Sequence, residues 1–336
     1  MPDSNQVQRK PRIVIASPAL AQQNNGNWQT ASRWAGFLAQ GGSSDYTVDI
    51  VPQWQAGDAA PDLLIALHAR RSAPSLAAFV HAFPQRPSVL VLTGTDLYRD
   101  IAIDASAARS LEVASALVLL QPAGIACLPE HVRAKATVIY QSAAALPHVP
   151  MRTREICMLG HLRDEKDPRT FMRAAGLVPH ALVHIGAALD PALARAAQAT
   201  QAAHANYQWL GPLSREAARA RLAHSHAMVI ASTMEGGANV IIEAVTSGVP
   251  VLASDIDGNR GMLGDDYAGY FPAGDATALA SLIARSFGPA LYARLQAQCA
   301  ARARLFAPGI ERAALRELVD NLLHASSHST HRQENP

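Results

Sequence analysis

Lysine is the scarce residue of this 336-residue chain. Of 29 basic side chains only Lys10, Lys135 and Lys166 are lysines, against 26 arginines. Codon usage accounts for such a bias in an alanine-rich chain, so the few lysine positions are the informative ones. Charged residues are 17% of the chain and aromatics 5%, and basic and acidic residues nearly balance at a formal net charge of +2. A balance this even argues against a nucleic-acid partner bound through phosphate neutralisation. No apolar run approaches the roughly 20 residues that span a bilayer, so no membrane association is expected. The start, MPDSNQVQRKPR, lacks the apolar core of a signal peptide. Three cysteines (Cys127, Cys157, Cys299) are odd in number and far apart, which suits reduced, buried side chains in a cytoplasmic protein. There is no GxGxxG, GxxxxGK[ST] or HExxH sequence, against a dinucleotide oxidoreductase, a P-loop NTPase and a zincin.

What is present is alternation. Short apolar runs such as Arg12–Ser17, Asp62–Leu67, Ser88–Leu92, Ala116–Leu120, Arg154–Leu159, Ala227–Ala231 and Val249–Ala253 alternate with alanine-rich helical patterns. This predicts an α/β protein of parallel sheets covered by helices. The chain is long enough for two domains. The Pro-containing stretch Ser142–Pro150 is read as a hinge, with domains at 11–150 and 151–305. A last helix over about 306–324 is expected to pack back on the first domain, and 1–10 and 325–336 are expected as flexible tails. Two doubly wound domains without a dinucleotide fingerprint point to a ligand held at the carboxyl ends of the strands, in a cleft the domains face.

The sharpest motif is Met234–Leu252, MEGGANVIIEAVTSGVPVL, directly after the apolar run Ala227–Ala231. Glu235 falls in the turn, and Gly236 and Gly237 leave the backbone open to a ligand. A helix beginning near Ala238 and Asn239 offers amides and a positive dipole end to an anion. Glu243, eight residues after Glu235, is rotated roughly 80° from it on a 100° helix, so the two carboxylates suit different parts of one extended, hydroxyl-bearing ligand. The plainer reading is that Glu235 caps the helix and Glu243 is solvated.

The Glu235-x7-Glu243 spacing followed by Gly248-Val-Pro-Val-Leu252 resembles the retaining glycosyltransferases of the GT-B fold, family 4. The likeness implies two Rossmann-like domains facing a central cleft. Met158–Pro168 (MLGHLRDEKDP) is similar to the family's strand-turn segment that gives an Arg and a Lys to the donor diphosphate, and Tyr207–Leu213 (YQWLGPL) to its nucleobase loop. By resemblance, Glu243 binds ribose hydroxyls, Glu235 the sugar, the Gly236–Asn239 amides the sugar and phosphate, and Leu213 lies by the base. The family's Arg position falls on His161, while Arg163 follows two residues later; Arg163 with Lys166 is the favoured diphosphate pair. The resemblance implies no metal and no cofactor besides the nucleotide-sugar co-substrate, so protein cations must neutralise the leaving group. The plainer reading of Arg163 and Lys166 is an exposed charge cluster at a helix start.

In the first half, three loops after strand candidates carry polar residues: Asn24–Thr30 with Asn25, Gly26 and Asn27; His68–Ser72 with Arg70 and Arg71; and Thr93–Asp100 with Gly94, Thr95, Asp96 and Arg99. They suit a small anionic acceptor, with His68 or Asp96 orienting it. The plainer readings are surface arginines and a buried structural histidine. These segments, with Gly160–Pro168 and Met234–Glu243, resemble the selenosugar synthases of bacterial selenoneine biosynthesis. That likeness implies transfer of the sugar of UDP-N-acetylglucosamine or UDP-glucose to selenophosphate. Rival expectations are an O-glycosyltransferase acting on a glycan or lipid, and a non-catalytic nucleotide-sugar binder.

Overall fold

The computed structural model describes residues 9–19, 26–39, 46–147, 149 and 151–331, with side chains to residue 326. The chain divides into two compact units. Unit 1 holds the residues up to Leu120, Ile125–Ile139 and those from Gly309 on; unit 2 holds Gln121–Gly124 and Tyr140–Pro308.

Unit 1 is built on β1 (Arg12–Ala16), β2 (Thr47–Val51), β3 (Leu63–Leu67), β4 (Ser88–Leu92), β5 (Ala116–Leu119) and β6 (Ala136–Val138). All pair in parallel, in the order β2-β1-β3-β4-β5-β6. Every residue of β3 and β4 is buried, as parallel strands covered on both faces require. Successive residues feed opposite faces: Val14 and Ala16 join Trp54, Leu76 and Phe79, while Ile13 and Ile15 join Trp34, Leu38 and Leu315. Leu315 belongs to the helix Pro308–His331, which continues past the expected 306–324 into residues read as a flexible tail. Buried Glu311 ties this helix down, accepting from Arg33 Nε at 2.8 Å and Trp34 Nε1 at 2.7 Å.

Unit 2 is built on β7 (Ile156–Leu159), β8 (Leu182–Ile185), β9 (Tyr207–Trp209), β10 (Ala227–Ile230), β11 (Val251–Ser254) and β12 (Tyr270–Phe271). These too are all parallel, in the order β12-β11-β10-β7-β8-β9. Asp167, Asp190, Ser214 and Asp275 cap the helices that follow them, their side-chain oxygens accepting from first-turn amides. Strand order reverses between β7 and β10, so the loops leaving these neighbours part to opposite faces. That topological switch point is where open α/β sheets bind ligands. In unit 1 the corresponding point lies between β1 and β3. No described helix is long and apolar enough to cross a membrane.

Candidate active site

The loops after β7 and β10 carry the strongest sequence motifs, and the backbone fastens them together. Thr233 N–H donates to Glu165 O at 3.0 Å, bringing the Lys166 ammonium onto Glu235 Oε1. The Ser232 hydroxyl donates to the same oxygen at 2.5 Å. The Lys166 side chain is 17% exposed and that of Glu235 9%, so this ion pair is largely desolvated. Both of these donors fall on Oε1, so the carboxylate is held through one of its two oxygens. Glu235 therefore neither caps the following helix nor points into solvent. Ser232 was not singled out from sequence; a serine three residues before the glutamate was the signal.

A polar chain continues behind the carboxylate. Ser254 Oγ donates to Ser232 O at 2.6 Å, and Asn259 Nδ2 donates to Ser254 O at 2.9 Å. Gly258 lies hard against the turn, where a Cβ would fall 2.0 Å from Glu235 O. Gly236 and Gly237 are not among the glycines with positive φ, so they contribute small size rather than left-handed backbone. Ala238 is the N-cap of the helix Asn239–Thr246 and gives it no side-chain cap. The leading amides of that helix have no intrahelical acceptor.

Glu243 is buried in the same helix and meets two arginines of the helix Arg215–His224: Arg215 at 3.4 Å and Arg219 at 3.7 Å from Oε1. Solvation of Glu243 is thus corrected to an ion-paired position. The arginines were missed, although an i, i+4 pair directly after the Tyr207–Leu213 loop was visible. Leu213 itself is 39% exposed. A cavity of about 670 Å³ shares Arg215 and Arg219 with this cluster and is otherwise lined by residues such as Leu146, Pro147, Val149 and Ala220. It includes neither Lys166 nor Glu235.

His161 and Arg163 follow β7. Arg163 is exposed in extended backbone. His161 is half-buried, and its proton affinity is lowered by burial, then by the Arg163 and Lys166 charges. Beneath them His184 is fully buried, its nitrogens 3.1 Å from Gly160 O and 3.3 Å from Tyr207 Oη. Burial pushes its pKa down to about 4.

In unit 1 the loops after β3 and β4 converge around two aspartates. Asp96 is fully buried, and its oxygens accept from the amides of Thr93 (2.9 Å), Gly94 (2.8 Å) and Ala69 (2.8 Å). A carboxylate engaged in this way latches two loops together. His68 is 2% exposed at φ 76°; Arg71 N–H donates to its Nδ1 at 3.3 Å, and its Nε2 lies 3.1 Å from Thr95 Oγ1. Burial lowers its proton affinity, with Arg71 and Arg70 adding to that and Asp96 and Asp100 opposing it. The buried-histidine reading therefore describes His68. Arg70 and Arg99 reach buried Asp100 at 3.0 and 2.9 Å, a residue the sequence reading passed over. Arg71 is exposed and makes no ion pair with the described residues. Gly26 and Asn27 open the helix Gly26–Ala39, and Asn25 lies outside the described residues. No three His, Cys, Asp or Glu side chains gather as a metal site among the described residues.

Residues 147–304 match the profile of the family described as glycosyl transferases group 1. No curated protein sequence matches the chain. Among solved structures, the chain is similar to Anabaena HepE in complex with UDP and glucose, at 14% identity and TM-score 0.70, covering 93% of this chain and all of that one. It is also similar to the sucrose-phosphate synthase of Thermosynechococcus elongatus, at 17% identity and TM-score 0.75, covering 94% and 100%. A third likeness is to the pneumococcal O-GlcNAc transferase GtfA in complex with UDP and GlcNAc, at 17% identity and TM-score 0.62, covering 78% and 57%. At such identities the likeness establishes the fold. Two parallel-sheet α/β units of GT-B type, one of them carrying the group 1 match, make this protein a glycosyltransferase.

Proposed function

We propose that the enzyme transfers the hexose of UDP-N-acetylglucosamine or UDP-glucose to selenophosphate, forming a carbon–selenium bond. The observation that carries the donor half is the Lys166–Glu235–Ser232 cluster at the β7/β10 switch point. A buried ammonium beside a carboxylate with one oxygen unspent suits a sugar diphosphate: the cation meets the leaving group and the carboxylate accepts from a sugar hydroxyl. Glu243, held by Arg215 and Arg219, is the matching acceptor for ribose hydroxyls. The first amides of Asn239–Thr246 add dipole stabilisation. HepE and GtfA, solved with UDP and a sugar, support a UDP-linked donor.

The acceptor half rests on unit 1. Arg70 and Arg99 meet at Asp100, Arg71 and Arg70 act on His68, and the helix Gly26–Ala39 follows the neighbouring strand β1. A small anion is the acceptor these arginines favour, and the N-terminal motifs of the selenosugar synthases narrow it to selenophosphate. The bond from sugar C1 to the diphosphate oxygen breaks, and UDP leaves with the electron pair. Selenium, already a strong nucleophile, supplies the pair for the C1–Se bond. Water then cleaves Se–P, giving the selenosugar and phosphate. Lys166 and Arg163 supply positive charge to the leaving group, with His161 beside them, and we assign no resident cofactor or metal.

The test is mass spectrometry of products from the pure protein given either UDP-sugar with selenophosphate, inorganic phosphate or a glycan. A selenosugar with stoichiometric UDP is expected. Sugar transfer to the glycan with none to selenophosphate would replace this acceptor with the O-glycosyltransferase reading. UDP binding without turnover on any acceptor would leave a nucleotide-sugar binder.

A further inference from the structure

One hydrogen bond decides what His161 can do in the donor site. Ala187 N–H donates to His161 Nδ1 at 3.1 Å, and that amide has little freedom to move. Leu162 N–H donates to Ala187 O at 2.8 Å, Leu189 N–H to Leu162 O at 3.1 Å, and Gly160 N–H to Ile185 O at 2.9 Å. The turns after β7 and β8 are therefore laced together. Gly186 is wedged between them, where a Cβ would lie 2.0 Å from Gly160 O. A ring nitrogen that accepts an amide N–H uses its lone pair in that bond and carries no proton. In neutral imidazole the proton then resides on Nε2.

We propose that His161 is the neutral hydrogen-bond donor of the diphosphate site, giving its Nε2–H to a phosphate oxygen of the nucleotide, with its tautomer set by the Ala187 amide. This rests on the donor reading above. The ring stands beside Arg163 and Lys166, whose charges disfavour a third cation and so keep it uncharged. A neutral N–H still makes a charge-assisted bond to phosphate, and it adds direction where Lys166 adds charge. Arg163, exposed at the entrance of the same turn, then acts as a longer-range charge rather than the direct ligand favoured from sequence.

Two substitutions separate the roles of the two nitrogens. His161→Gln places an amide N–H near the Nε2 position. His161→Asn keeps an acceptor for the Ala187 amide and offers nothing at Nε2. In calorimetric titration with UDP, the Gln protein is expected within about twofold of the parent Kd. The Asn protein is expected to bind about tenfold more weakly, or about 1.4 kcal/mol, with unchanged thermal unfolding. Nitrogen-15 spectra of the ligand-free parent protein should show a protonated Nε2 and an unprotonated Nδ1 at His161, a readout that needs no variant to fold. Parent-like UDP affinity in the Asn protein, or a protonated Nδ1, would overturn the proposal. A parent protein that does not bind UDP would instead overturn the donor reading, and with it the phosphate partner, while the spectra would still report the tautomer.

Discussion

Replacing Lys166 with methionine removes the ammonium and leaves the Glu235 carboxylate buried, with the Ser232 hydroxyl still on Oε1. Losing one partner of a buried ion pair costs about 3–5 kcal/mol. Because the lysine side chain is 17% exposed and Ser232 remains, the lower end, about 3 kcal/mol, is expected in urea unfolding. Adding Glu235→Gln removes the stranded charge, so Lys166→Met/Glu235→Gln should recover stability to within about 1 kcal/mol of the parent. Activity should behave differently. A cation aimed at developing negative charge is worth about 10²–10³ in kcat, and the double variant cannot restore it. UDP release by the two variants, followed beside their unfolding curves, separates a structural ion pair from a catalytic cation. Full activity in Lys166→Met would refute the assignment of the leaving-group cation. A double variant no more stable than the single one would refute the claim that the pair is buried and coupled.

Three further outcomes follow from the geometry. Ser232→Ala deletes a hydrogen bond to an ionised group, worth about 1.5–3 kcal/mol, and should lower kcat/KM at least tenfold while the fold, read by circular dichroism, persists. Asp96→Asn exchanges an acceptor for three backbone amides for a side chain that is half donor, and should lower unfolding stability by about 3 kcal/mol with a fall in Tm. His184 titrates near 6.5 when unfolded and about 4 when folded, so protons favour the unfolded chain. Its contribution to stability is complete above pH 6.5 and is lost as pH falls from there to about 4, on the order of 3 kcal/mol. A His184→Gln protein should lose less stability than the parent between pH 7 and pH 4.5 in paired urea titrations.

Much of the fold is legible because parallel central strands are buried on both faces, so β3, β4, β10 and β11 read as uninterrupted apolar runs. The helix Asp257–Leu263 was not legible. Its DGNRGML sequence reads as a turn, and its glycines are present for close packing. A Cβ at Gly261 would lie 1.8 Å from Gln121 Oε1, a neighbour remote in sequence. The helix Pro289–Ala303 also went unread. In the site, Lys166 and Glu235 were each visible, but their ion pair depends on the Thr233–Glu165 backbone bond between two loops. Asp96 shows the converse: an aspartate in a Thr-Gly-Thr-Asp loop has the same sequence whether it faces a ligand or latches the backbone. Only the three amides around it decide. Arg215 and Arg219 were hidden in an arginine-rich chain, where one more pair carries little signal until Glu243 is seen between them.

In the proposed reaction, the cluster on the β7/β10 loops activates a UDP-sugar for transfer. The most direct test of that role is a quantitative time course of UDP and selenosugar formed from UDP-N-acetylglucosamine and selenophosphate, run on the parent protein and on Lys166→Met/Glu235→Gln. One UDP per selenosugar is expected from the parent, and less than about one per cent of that rate from the folded double variant. Equal rates from the two proteins, or no UDP from the parent with either UDP-sugar, would contradict that role.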